Sequence, residues 1–89
     1  MWFVYILECS DMSLYTGITT SIERRLREHN RSKKGAKYTR SRRPVRLVEY
    51  CVVKDRSQAL KLEYKIKSLK RCKKIAYLQK EASGEVEDD

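Results

Sequence analysis

Two apolar stretches lie near the start of the chain, separated by a short polar one. Residues 2–9 (WFVYILEC) and 14–19 (LYTGIT) are rich in aromatic and β-branched types and flank the turn formers Ser10-Asp11-Met12-Ser13. That pattern predicts a β-hairpin. Its register matters, because pairing parity sends alternate side chains to opposite faces of a sheet. With an odd number of loop residues, three for example, Tyr5 and Tyr15 share a face with Phe3, Leu7 and Gly17. Val4, Ile6, Leu14, Thr16 and Ile18 then share the other. A two-residue loop would separate the tyrosines. In either register both faces carry apolar residues, so the sheet is expected to be covered, at least in part, on both sides.

The period then lengthens. Thr20-Ser21-Ile22-Glu23 has the S/T-x-x-E form of a capping box, with Thr20 as the expected N-cap. It predicts a helix from about Ser21 to Asn30, with Ile22, Leu26 and His29 along one stripe. Residues 31–46 (RSKKGAKYTRSRRPVR) hold eight basic residues and no acid, and read as a loop. A third strand is expected over Val45–Val53, just after Pro44. Asp55 is the predicted N-cap of a second long helix, with Gln58 at N3. Ala59, Leu62, Ile66 and Leu69 form its apolar stripe at i, i+3, i+4 and i+7 spacing. A break near Arg71-Cys72-Lys73-Lys74 sets off a short last helix holding Ile75–Leu78, which ends at Ser83-Gly84.

The order is β-β-α-β-α-α: an α+β fold, with a small three-stranded antiparallel sheet flanked by helices. One domain is expected over residues 1–80, followed by an acidic tail, residues 81–89, too polar to pack.

Charge sharpens the picture. All 21 Lys and Arg but only seven of the 12 acids lie in residues 1–80, so the folded body carries +14 while the whole chain carries +9. A field of that size on a small domain points to a polyanionic partner, nucleic acid ahead of a membrane surface. Cys9, Cys51 and Cys72 are scattered and odd in number, with no C-x-x-C spacing. They argue against a disulfide framework or a zinc site and fit a reducing, cytoplasmic setting. The apolar start is too short for a signal sequence, and no segment approaches membrane-spanning length.

Candidate chemistry gathers at the rims of the predicted elements. Arg25 and His29 are four apart on the first helix, beside its docking stripe, and Glu63 falls one position off the stripe of the second. Each has an ordinary explanation: Tyr5 and Tyr15 as amphipathic core aromatics, Gly17 as relief from crowding, His29 as a satisfied helix histidine. Glu63 and Lys67 could be a common i, i+4 surface pair, worth roughly 0.2–0.5 kcal/mol. Jointly, however, the five polar residues need one explanation rather than five.

Val4-Tyr5-Ile6, then Tyr15-Thr16-Gly17 ten residues on, then Arg25, His29 and Glu63, resemble the signature of the GIY-YIG nuclease superfamily. The likeness runs from about Trp2 to Lys74. LYTGIT and KYTRSRRPVRLV are most similar to small stand-alone bacterial members, an uncharacterised protein family. The resemblance implies a metal-dependent endonuclease that cuts DNA with little sequence preference. Glu63 matches the metal-binding carboxylate, for Mg²⁺ or another divalent cation such as Mn²⁺. Arg25 matches the arginine that stabilises the pentavalent phosphate, and Tyr5 the phenol that activates water. Tyr15 and His29 match residues that position the scissile phosphate or relay protons, with Gly17 structural beside them.

That allocation is chemically coherent. Mg²⁺ takes oxygen ligands and keeps several waters, so one carboxylate suffices when phosphate supplies the rest. A guanidinium suits the charge that builds on phosphate. Tyrosine is a poor base at its reference pKa of roughly 10, so His29 competes for the role of general base. In the basic segment Lys33, Lys34, Lys37, Tyr38, Arg40, Arg42 and Arg43 are the expected backbone-binding residues, with Tyr38 as a stacking ring.

The chain departs from the family pattern at Val4 and Thr16, which replace a glycine and an isoleucine. It also lacks an asparagine after Glu63, the only one being Asn30. A non-catalytic nucleic-acid-binding module with the same fold and basic surface is therefore the alternative reading. No second domain is present to read a sequence, which leaves room for a protein partner that supplies specificity.

Overall fold

A computed structural model describes residues 1–84. β1 (Trp2–Glu8) and β2 (Leu14–Thr19) form the expected hairpin, and β3 (Arg46–Val53) pairs with the other edge of β1. The sheet is antiparallel throughout, in the order β2-β1-β3. Tyr5 stands opposite Gly17 and Leu7 opposite Tyr15. The last hairpin pair is Glu8 with Leu14, so the loop holds the five residues 9–13. Cys9 N–H donates to the Ser13 carbonyl at 2.8 Å and Met12 N–H to the Cys9 carbonyl at 2.9 Å. The odd loop sets the parity that brings the two tyrosines onto one face.

Alternation along β1 then builds two different interiors. Val4 and Ile6 enter an apolar core with Cys51 of β3 and with Ala59, Ile66 and Leu78, supplied by α3 (Arg56–Lys67) and α4 (Arg71–Ser83). Tyr5 and Leu7 face the other way, into a smaller cluster with Cys9 and Val45, against which Ile22 and Leu26 of α1 (Ile22–Arg31) pack.

Three local expectations change. The N-cap of α1 is Ser21, whose hydroxyl accepts from Arg24 N–H at 3.3 Å. Thr19 receives Ser21 N–H at 3.1 Å, while Thr20 is exposed and Glu23 pairs with Arg27. The strand thus hands over to the helix one residue later than the capping-box motif implied. The basic segment is not all loop: it winds one short helix, α2 (Lys37–Arg40). The last helix is 13 residues long and begins at Arg71, so the break falls around Ser68–Lys70 rather than inside residues 71–74. Lys74 explains the join, its ammonium donating to the Ile66 carbonyl at 2.9 Å and bracing the end of α3. The last helix ends where the sequence put it: α4 stops at Ser83, and Gly84 follows with a left-handed φ of 74°. The acidic tail lies, from residue 85 on, outside the described residues. By contrast Asp55 caps α3 as expected, accepting from Gln58 N–H at 2.9 Å.

Candidate active site

The site forms where the polar face of the hairpin meets α1 and the basic segment. Gly17 explains why the hairpin can host it. A Cβ at that position would fall on the Tyr5 hydroxyl and 2.6 Å from Cζ of the same ring, and 3.1 Å from the Tyr15 ring. Glycine is therefore required by the ring across the ladder, and the phenol lies over bare backbone.

Tyr5 Oη lies 2.8 Å from Nε2 of His29, and Nδ1 of His29 lies 2.8 Å from Oγ1 of Thr39 on α2. The Thr39 hydroxyl gives its single proton to the Ala36 carbonyl at 2.9 Å, so towards the imidazole it can only accept. Nδ1 accordingly carries the proton, Nε2 presents its lone pair, and Tyr5 donates to it. Tyr5, His29 and Thr39 are all buried, and among the described residues no buried side-chain nitrogen or oxygen lacks a hydrogen-bond partner.

Burial sets the ionisation of both rings. It pushes the Tyr5 phenol up to about 12, helped by the neighbouring Tyr15 and Glu63, while the Arg25 guanidinium pulls the other way. Burial, then the charge of Arg25, lowers His29 to about 4, so the imidazole is neutral at pH 7. The phenol is thus held protonated against a neutral acceptor rather than preformed as phenolate.

Arg25 is tethered by hydrogen bonds to Glu28 at 3.0 Å and to the Lys34 carbonyl at 2.7 Å. Burial alone would lower its pKa, but hydrogen bonds to Glu28 and Tyr5 outweigh it, and the net direction is upward. Tyr15 packs edge-on against His29, with ring centroids 5.1 Å apart, and lies 6.5 Å from Tyr5. Glu63 reaches the group from α3. Its charge is felt at Tyr5, and its Oε2 lies 3.3 Å from Lys67 Nζ. Tyr5, Tyr15, Gly17, Arg25 and His29, read from three separate elements, therefore converge, and the charge of Glu63 acts on Tyr5 from a fourth.

Among the described residues no group of three His, Cys, Asp or Glu side chains could cage a metal. Glu63, a hard oxygen donor at the rim, fits a divalent cation of the kind that completes its shell with water and substrate phosphate.

The basic segment divides into two kinds of residue. Lys33, Lys34, Lys37 and Arg40 are exposed. Arg43 instead donates to the carbonyls of Glu28, His29 and Ser32, closing the C-terminal end of α1. Arg42 pairs with Asp11 at 3.0 Å and lies over the Tyr38 ring, 3.8 Å from its centroid. Gly35 lets the segment cross α1 closely, since a Cβ there would come within 2.6 Å of the Glu28 carbonyl oxygen and 2.9 Å of His29 Cα. Thr39 and Gly35 carry no sequence signal of their own, because their roles depend on a contact with α1 that no local pattern encodes.

Comparison with known proteins identifies the family. The family model of the GIY-YIG catalytic domain matches residues 1–76. The chain belongs to the GIY-YIG family. Among its relatives, a UPF0213 protein of Desulfotalea psychrophila is 55% identical over 83 residues, covering 93% of this chain and 76% of the relative. One of Haloquadratum walsbyi is 60% identical over 72 residues, 81% of this chain and 80% of the relative. A solution NMR structure of an E. faecalis protein is 43% identical and superposes with a TM-score of 0.62, covering 98% of this chain and 88% of that one. A solution NMR structure of a Bacillus halodurans UPF0213 protein, 46% identical, gives 0.55 over 92% and 87% of the two chains. The three-stranded α+β fold and the family expected from the sequence both hold. Among the described residues no helix is long and apolar enough to cross a membrane, and all three cysteines are free thiols.

Proposed function

We propose that the protein is an endonuclease that hydrolyses phosphodiester bonds of DNA with little sequence preference, using one divalent cation held by Glu63, Mg²⁺ in the first instance. The observation that carries this reading is the hydrogen-bonded chain Tyr5–His29–Thr39 beside Arg25. A purely structural tyrosine does not require a buried neutral histidine as its acceptor. Here the phenol can take a proton from an attacking water while passing its own to Nε2 of His29. The ordinary objection is that imidazole with a pKa of about 4 is a weak base. Part of that depression comes from the charge of Arg25, and a phosphodiester facing the guanidinium would offset it, raising the proton affinity of His29 as substrate binds. Arg25 then stabilises the charge that grows on the phosphate, and Thr39 holds the imidazole in the accepting tautomer. The cation, when bound, would polarise the phosphate and the leaving oxygen. The product implied is a 5′-phosphate with a 3′-hydroxyl.

The test is nicking of supercoiled plasmid with and without Mg²⁺, alongside Glu63→Gln and Arg25→Ala. Metal-dependent nicking by the wild type is expected, with Arg25→Ala slowed about 10²–10³-fold. The second reading, a binding module that does not cut, draws on one observation. The only asparagine, Asn30, exchanges two hydrogen bonds with the Val45 backbone and is committed to the fold. Salt-sensitive DNA binding by a wild type that never nicks would establish that reading instead.

A further inference from the structure

A cavity of about 220 Å³ opens along the edge strand β2, lined by Leu14, Tyr15, Thr16, Tyr38, Lys67 and Lys74. Its walls come from four elements: the hairpin, α2, the last turn of α3 and the first turn of α4. One wall is aromatic. Tyr15 and Tyr38 stack in an offset pair, with centroids 6.1 Å apart and planes at 27°. The Arg42 guanidinium covers Tyr38 at 3.8 Å and also donates to the Tyr38 carbonyl at 2.9 Å, so this ring is held in place.

The opposite wall is cationic. Lys74 is drawn inward, with its ammonium on the carbonyls of Ile66 and Lys67. Burial, and then the charge of Lys67, depress its pKa. Lys67, whose ammonium pairs with Glu63 at 3.3 Å, and Lys74 both line this recess, so an incoming anion meets positive charge there.

We propose that this recess binds one nucleotide of a bound nucleic-acid strand, its base against the Tyr15–Tyr38 pair and its phosphate against Lys67 and Lys74. The proposal rests on the nuclease reading for its location. Tyr15 also touches His29, and Lys67 also touches Glu63, which puts the recess next to the phosphate that would be cut. The chemistry excludes simpler ligands. A free anion has no use for the ring wall, and an apolar ligand would leave the two cations facing hydrocarbon. The volume is below the roughly 300–1,000 Å³ of pockets that enclose drug-sized ligands, and suits a single flat ring.

The experiment is binding of a fluorescent DNA oligonucleotide to the full chain in EDTA, followed by anisotropy, with one base at a time replaced by an abasic unit. At one or two adjacent positions base removal should weaken binding about 5- to 100-fold, the range for loss of one stacked base. That penalty should vanish in Tyr38→Leu and persist in Tyr38→Trp, which keeps a stacking face. Lys67→Met and Lys74→Met should each lower the slope of log K against log salt by about 0.7. A penalty spread evenly over the oligonucleotide, or unchanged in Tyr38→Leu, overturns the proposal, and thermal melting of each variant separates misfolding from lost contact. Nicking in Mg²⁺ is scored separately. A positional penalty without any nicking keeps the nucleotide subsite and removes the nuclease reading.

Discussion

Neighbouring residues of β1 enter two interiors with opposite rules. Val4 and Ile6 meet Cys51, Ala59, Ile66 and Leu78, an apolar set in which shape decides the fit. One position along, Tyr5 meets His29, Gly17 and Tyr15, where a buried hydroxyl must find an acceptor and a glycine must stay bare. The first interior resists unfolding. The second is satisfied only in one protonation state and one tautomer, a requirement that packing for stability does not impose. A sheet of three strands can hold both because it is covered on both faces, with α3 and α4 on one and α1 with the basic segment on the other.

The contrast can be broken most forcefully at Gly17. Gly17→Ala should move the Tyr5 ring, and a displacement near 1 Å at a catalytic group costs on the order of 10²-fold in rate. Its counterpart is Ile66→Ala on the other face, which should lose about 2–5 kcal/mol of stability while nicking per folded molecule is kept. Denaturant melts and rates normalised to the folded fraction check both. Equal effects of the two variants on normalised rate would erase the distinction.

A finer cut is Thr39→Val. It keeps shape but strands the buried Nδ1 proton of His29, at a cost of about 1–3 kcal/mol. Nitrogen NMR of the imidazole should show loss of the pure Nδ1–H tautomer, and an unchanged spectrum would contradict the assignment made from Ala36.

The last effect is on pH dependence. His29 titrates at about 4 in the fold, against 6.5 for the exposed group, so the unfolded chain takes up the proton first. Stability from this source is complete above about pH 6.5 and declines as pH falls towards 4. The melting temperature of the wild type should therefore drop more between pH 7 and 4.5 than that of His29→Gln. Parallel curves would mean that the imidazole is not held neutral.

Much of this could be read before any coordinates. Turn residues between two β-rich runs gave away the hairpin, Asp55 announced α3, and Ala59, Leu62 and Ile66 marked its buried stripe, because caps and periodicity are local. The same locality explains the misplacement of the α1 cap. Thr20 and Ser21 are both good caps, and the choice went to Ser21 because β2 continues through Thr19. Tyr5, Tyr15, Arg25, His29 and Glu63 were legible as a set through a family's spacing.

Residues whose roles arise only when distant elements meet stayed out of reach. By itself the sequence determined the elements, their order, the alternation that splits β1 between two faces, and the excess of positive charge. Tertiary structure alone decided that Thr39 reads the proton on His29, that Arg43 closes α1, and that Lys67 and Lys74 share one recess. The physical reason is the same in each case. Burial and hydrogen-bond direction are properties of a surrounding, and each of these partners lies on a different segment of the chain from the group it meets.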